Sequence, residues 1–183
     1  MYTSLTGKHR AWTKVLDSLG LKGDETVLDV GCGRGAVLIA SAKRLPRGRA
    51  VGIDIWTIDQ SGNRAAATRH NAELEGVGRR VFLATADARH LPFPADTFDF
   101  VLSSLAIHNI SSAGGRRQAL EEAMRVLKRD GRLVIADIFG VRTYPHELER
   151  LGADGVAIRD LGPGTWFGNP FVRTQLVTAS KHG

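Results

Sequence analysis

Cysteine is nearly missing from this chain, with Cys32 the sole thiol in 183 residues. An internal disulfide is therefore excluded, and so is a zinc site of the multi-cysteine type; a chain of this length can bury a substantial core without either. Long apolar runs are missing too. Nothing approaches the roughly 18 residues of a membrane-spanning helix, so membrane insertion is not expected. The opening MYTSLTGKHRAWTK has no apolar centre of the signal-peptide kind, which makes the cytoplasm the expected compartment. His9, His70, His90, His146 and His182 are scattered and not spaced like metal ligands, so no metal site is expected. Internal repeats, low-complexity tracts and linkers are absent, and residues 1–183 read as a single domain.

What is present is an ordinary soluble composition, 43% apolar and 24% charged, with a basic surplus. The net charge of +6 and pI near 10 raise the question of nucleic acid, because clustered Lys and Arg bind phosphate by releasing counterions. The clustering is weak. Lys43, Arg44, Arg47 and Arg49 form one group, Arg79 and Arg80 another, and Arg125, Lys128, Arg129 and Arg132 a third. Each group falls near an expected helix end or strand start, where basic residues favour the helix dipole. Solvated helix ends are the reading adopted, with a nucleic-acid partner kept as the secondary one.

Along the chain, strand and helix patterns alternate. Strands are expected at Val27–Val30, Ala50–Ile55, Val81–Ala86, Phe98–Ser104 and Arg132–Ile138. Helices are expected at Ala36–Leu45, Gly62–Glu75 and Arg116–Lys128, the last with Leu120, Met124 and Leu127 on one face. Gly131 stands where a helix C-terminal cap belongs. The strands are apolar and β-branched without strict alternation, as in sheets covered on both faces, so the expected class is α/β with a parallel, doubly wound sheet. Gly155–Leu161 and Thr174–Ser180 break the rhythm. They are joined by GPGTWFGNPFVR, too short for a crossover helix, and are expected to run antiparallel.

The stretch VLDVGCGRG, residues 27 to 35, carries the chemistry. Gly31, Gly33 and Gly35 form a tight turn with room for a ligand against bare backbone, and the helix that follows turns its free N–H groups toward that space. A glycine turn alone also suits nicotinamide and flavin enzymes. Here, however, the third glycine follows the second by two residues rather than three, and Asp29 precedes the turn, where a carboxylate repels a pyrophosphate and attracts a cation. Asp54, about twenty residues on at the end of the second strand, suits a ribose diol. Asp87, at the end of the third, suits an exocyclic adenine amine. Each of these two also suits a helix N-cap or a loop. Three carboxylates at three successive strand ends converge on one sheet edge and describe a nucleoside-bearing cation better than a dinucleotide.

With those residues in place, the chain resembles the class I S-adenosylmethionine-dependent methyltransferases over about residues 15 to 181. The turn from Asp29 to Gly35 is similar to that family's D-x-G-x-G-x-G motif, GIDI at 52 to 55 to its acidic second-strand end, DA at 87 to 88 to its adenine-side element, and FDFVLSSLAIHNI at 98 to 110 to its fourth-strand motif. The resemblance implies a Rossmann-like sheet of seven strands, the last antiparallel, and a cofactor-binding core over residues 25–140. That core would lie between a helical segment at 1–24 and a strand pair with a substrate-side loop at 141–183. It implies S-adenosylmethionine as cofactor and S-adenosylhomocysteine as product. Asp54 would hold the ribose, Asp87 and Ala88 the adenine, and Ile55 one adenine face; Asp29, Gly31, Cys32, Gly33, Gly35 and Ser103 would form the methionine end. The quinone-biosynthesis-like branch is the nearest subgroup.

His108, just past the fourth strand, is the candidate general base for an acceptor that must lose a proton; a helix-starting histidine bonded to a backbone carbonyl is its structural alternative, and Asn109 suits a cap. The [D/N]-P-P-[Y/F] motif of base-amine methylation is absent, SSLAIH standing in its place, and so is a Pro-Cys nucleophile. These absences favour a small, partly apolar acceptor. An RNA or protein methyltransferase, a non-catalytic cofactor-binding protein and, more remotely, a nicotinamide oxidoreductase stay open. Trp166, Phe167 and Phe171 suit an apolar acceptor pocket, sheet-edge packing or a homodimer contact. Trp56 suits either an adenine cover or packing beneath a helix, and Asp59 has no assigned role.

Overall fold

A computed structural model describes residues 5–56, 65–166 and 172–183. Phe167, Phe171 and Asp59 lie outside the described residues. The strands are β1 (Thr26–Val30), β2 (Arg49–Asp54), β3 (Val81–Thr85), β4 (Phe98–Ser104), β5 (Leu127–Asp137), β6 (Ala153–Asp160) and β7 (Gln175–Lys181). The helices are α1 (Leu5–Ser18), α2 (Ala36–Lys43), α3 (Ala65–Leu74), α4 (Ala113–Val126) and α5 (Tyr144–Arg150).

The strands join into one sheet of order β3-β2-β1-β4-β5-β7-β6. Pairing is parallel from β3 through to β5, and β7 runs antiparallel to both β5 and β6. The doubly wound sheet and its reversed C-terminal strand are as expected. The order turns around between β1 and β4, where the crossovers leave in opposite directions and open a crevice at the strands' carboxyl ends.

Helices pack on both faces of the sheet, and the strand residues beneath them are apolar on both sides. Trp12, Val15 and Leu16 of α1 and Leu19 just after it, with Leu38 and Ala42 of α2 and Ala72 of α3, pack on the face that carries Val27, Leu102 and Val134. Leu120, Ala123 and Met124 of α4 and Leu148 of α5 pack on the opposite face, with Leu28, Val101 and Ile135. Adjacent strand residues such as Val27 and Leu28 thus enter different cores, the period-two rule applied to a two-sided sheet.

The region after α4 corrects one expectation. The helix stops at Val126, Leu127 is already extended, and β5 begins there rather than at Arg132. Gly131 is not a helix cap: the turn is made by Asp130 at φ 59, a residue type that tolerates the left-handed region. Glycine is required at 131 for closeness, since a Cβ there would lie 2.8 Å from both Leu127 Cδ1 and the Lys128 carbonyl oxygen. The register against β4 shifts between Phe98 and Phe100 to absorb the extra residues.

Candidate functional site

The glycine turn follows β1 directly and closes against two neighbours. Gly31 and Cys32 donate their N–H groups to the Ile53 carbonyl at 2.8 and 3.0 Å, which ties the turn to the end of β2. Gly31 has φ 73, and a Cβ there would lie 2.2 Å from the Ala106 Cβ, so only glycine lets the turn pass this close to the end of β4. Gly35, at φ 88, caps the start of α2. From the outside, Thr68 of α3 donates its hydroxyl to the Gly33 carbonyl at 2.5 Å.

Asp54 organises this edge. Its Oδ2 accepts the Gly33 N–H and its Oδ1 the Trp56 N–H, both at 2.9 Å. The carboxylate is therefore fixed in orientation by backbone donors at the carboxyl end of β2. Asp29 differs sharply. It is 1% exposed, and neither carboxylate oxygen has a hydrogen-bond partner. Burial pushes its pKa up to about 7, the nearby Leu38 backbone N–H opposes the rise, and the Asp54 charge adds to it. An unpaired buried carboxyl is rare in a core, and this one lies directly beside the glycine turn.

The remaining sequence-derived residues divide in two. Ile55 is 55% exposed and presents an apolar face beside Asp54. Cys32 is buried, Gly52 leaving the space its sulfur fills, and burial raises its thiol pKa far out of the reactive range. Ser103 is buried too, and its hydroxyl donates to the Val30 carbonyl at 3.0 Å, which braces β4 against β1. Asp87 follows β3 in a loop rather than ending the strand. A side-chain hydrogen bond from Arg89, at 2.6 Å from Nη2 to Oδ2, holds its carboxyl below the usual range, so a ligand amine there competes with a guanidinium. Ala88 packs on the α4-side core. Trp56 packs on the α1-side core, with φ 52 and a buried Nε1 that has no partner, in line with packing rather than adenine cover.

At the tips of β4 and β5 the chain builds a second constellation. His108 lies in a single 3-10 turn, Ile107–Asn109, directly after β4. Its ring Nδ1 is in short contact with Asp137 Oδ1, and its backbone N–H reaches Asp137 Oδ2 at 3.0 Å. The ring partner is thus a carboxylate and not a backbone carbonyl. Asp137, fully buried at the end of β5, also accepts the Ile138 N–H at 3.0 Å and the Tyr144 hydroxyl at 3.2 Å. Burial and the neighbouring Asp137 charge push the Tyr144 phenol pKa well up, so Tyr144 stays a hydrogen-bond donor. With a carboxylate facing Nδ1, the proton of a neutral imidazole belongs on Nδ1 and leaves the Nε2 lone pair open. Phe139 meets the imidazole edge-on at 6.1 Å between ring centres and is 58% exposed, which gives the site an apolar wall. Asn109 donates its side-chain amide to the Leu105 carbonyl at 3.3 Å, a local brace. Trp166 donates Nε1 to Asp160 at 3.2 Å, with the Arg173 guanidinium over its ring.

Asp137 and Phe139 escaped the sequence reading. The signal for Asp137 was available: RLVIADI carries an acid at the close of an apolar run, as VLDV and VGID do. Nothing in the sequence linked it to His108, which lies 29 positions away. Among the described residues no group of three or more His, Cys, Asp or Glu is placed to hold a metal ion, and no helix is long and apolar enough to cross a membrane.

Comparison with known proteins supplies the context. Residues 28–135 match the methyltransferase domain family. A demethylmenaquinone methyltransferase of Lactiplantibacillus plantarum is 35% identical over 130 residues, covering 70% of this chain and 52% of that protein. A ubiquinone/menaquinone biosynthesis C-methyltransferase of Dinoroseobacter shibae is 33% identical over 132 residues, covering 72% of this chain and 50% of that protein. The chain therefore spans about half the length of these relatives. Among solved structures, a geranyl diphosphate C-methyltransferase from Streptomyces coelicolor in complex with Mg2+, geranyl diphosphate and S-adenosyl-L-homocysteine shares the fold. Its TM-score is 0.75 at 19% identity, over 94% of this chain and 79% of that one.

Proposed function

Since the chain belongs to the class I S-adenosylmethionine-dependent methyltransferases, we propose that it transfers a methyl group to a small, partly apolar acceptor that must lose a proton in the reaction. The observation that carries this reading is the His108 imidazole held through Nδ1 by buried Asp137 at the tip of β4, beside a turn that abuts Ala106 two residues away.

The residues at the tips of β1 and β2 fit the cofactor. The orphaned Asp29 carboxylate answers a cation, Asp54, held by backbone donors at the end of β2, suits a ribose diol, and the bare turn admits a ligand where a Cβ would not fit. S-adenosylmethionine, when bound, supplies a methyl group already activated on a sulfonium, so the protein has chiefly to orient the acceptor and exclude water. Ile55 and Phe139, both largely exposed, provide apolar surface on the ligand side. His108 Nε2 takes the acceptor proton, and Asp137 stabilises the imidazolium that results. Uncharged, proton-free acceptors gain nothing from this pair. The relatives act in quinone biosynthesis, by their names, and the structural neighbour binds an isoprenoid diphosphate; both kinds of molecule combine apolar bulk with polar groups.

Calorimetry with S-adenosylmethionine, S-adenosylhomocysteine and NAD tests the cofactor, and a panel of hydroxylated quinols, phenols and isoprenoids, read by S-adenosylhomocysteine release, tests the acceptor. Stabilisation by NAD alone, or tight cofactor binding with no turnover across the panel, overturns the reading.

A further inference from the structure

At the opposite, amino end of the sheet the molecule has a cleft unrelated to the turn or to His108. The connection from β3 to β4, residues 86–97, forms no helix, so the face of β2 and β3 on the α4 side has no helix above it. Arg49 and Val51 point to that face by the two-residue period of β2, and Val51 lies directly beside Phe82 of β3. Phe82 is 52% exposed. Phe93 and Phe98, packed edge to face at 5.0 Å, form the far wall, and Thr26 with Arg49 closes the amino end of an open cleft of about 170 Å³.

The cleft is apolar along its length and cationic at one end. Arg49 makes no side-chain ion pair or hydrogen bond among the described residues, whereas Lys128 pairs with Asp99 at 2.8 Å and Lys181 with Asp96 at 2.7 Å. A guanidinium presents its donors as a fork that matches a carboxylate, and the volume, below the roughly 300–1,000 Å³ of drug-sized sites, suits a short chain rather than a large ligand or a macromolecular interface. We propose that this cleft is a binding site for a small amphipathic carboxylate, its aliphatic or aryl body lying on Val51, Phe82 and Phe93 and its carboxylate on Arg49. The site is independent of the methyl-transfer reading, because it shares no residue with the turn, Asp54 or the His108–Asp137 pair.

Octanoate is the probe, titrated by calorimetry into the whole protein, with octan-1-ol as the uncharged control and methyl and aromatic NMR shifts reporting location. Saturable octanoate binding that perturbs Val51 and Phe82, weakened at least tenfold by Arg49→Gln and by Phe82→Ser, is the expected result, with octan-1-ol binding at least tenfold less tightly than octanoate. Both variants change exposed side chains, and unaltered S-adenosylmethionine affinity confirms that they fold. The proposal is overturned by no saturable binding, by equal affinity in Arg49→Gln, by equal affinity for octan-1-ol, or by perturbations confined to the Val141 and Phe139 region at the other end of the sheet.

Discussion

The tips of β1 and β5 each bury an aspartate, and the two are opposites. Asp29 has no hydrogen-bond partner, whereas Asp137 is satisfied by two backbone N–H groups, an imidazole and a phenol. A carboxylate completed by the protein positions other protein groups; one left incomplete awaits a group from outside. The first is a fixture of the catalytic side in the proposed function, and the second belongs to the ligand side. The distance between them along the sheet is two strand positions, β1 to β4 to β5.

The largest expected effect breaks the β5 side. His108→Ala lowers turnover by about 10²–10⁴, the scale of a general base, and leaves S-adenosylmethionine affinity unchanged by calorimetry; full turnover returns His108 to a structural role. The next concerns Asp29, whose pKa rises from 3.8 to about 7 on folding. The folded protein holds this proton more tightly than the unfolded chain, so the stabilisation is complete below pH ~4 and is lost as the pH climbs through about 7. Asp29→Asn should abolish that decline and be more stable than the parent at pH 8 by up to about 4 kcal/mol, measured by urea denaturation across pH; a parallel decline in both proteins refutes the linkage. Asp137→Ala should show the opposite sign. Removing a satisfied carboxylate strands the Tyr144 hydroxyl and the His108 and Ile138 N–H groups, and stability falls by about 3 kcal/mol at pH 7. A loss below 0.5 kcal/mol would mean that water replaces the carboxylate without penalty. The smallest effect tests the ligand side directly: Asp54→Ala weakens the cofactor by about 1–3 kcal/mol, and an unchanged dissociation constant removes Asp54 from the ribose role.

Much of this contrast was legible in the sequence on one side only. The β1 and β2 tips advertise themselves because their residues are close in sequence and chemically odd: an acid inside an apolar strand, then three glycines, then a second acid one strand later. The β5 tip does not. Asp137 ends its strand like any loop-side acid, and its partners come from the 3-10 turn after β4 and from the first residue of α5. The family resemblance implies Ser103 at the methionine end, and only the parallel register of β1 with β4 shows that its hydroxyl donates to the Val30 carbonyl. Gly131 was legible as necessary but for the wrong reason, because a tight approach and a left-handed backbone leave the same residue in the sequence.

The sequence by itself determined the α/β alternation, the bare turn and the acids at the strand tips, since periodicity and glycine placement are local properties of the chain. Only the tertiary structure decided which acids are left unpaired, that His108 is turned by Asp137, and that β3's outer face stays open beside Arg49. Those outcomes depend on strand order and register, which bring together groups dozens of residues apart, and burial then gives each pairing or vacancy its energetic weight.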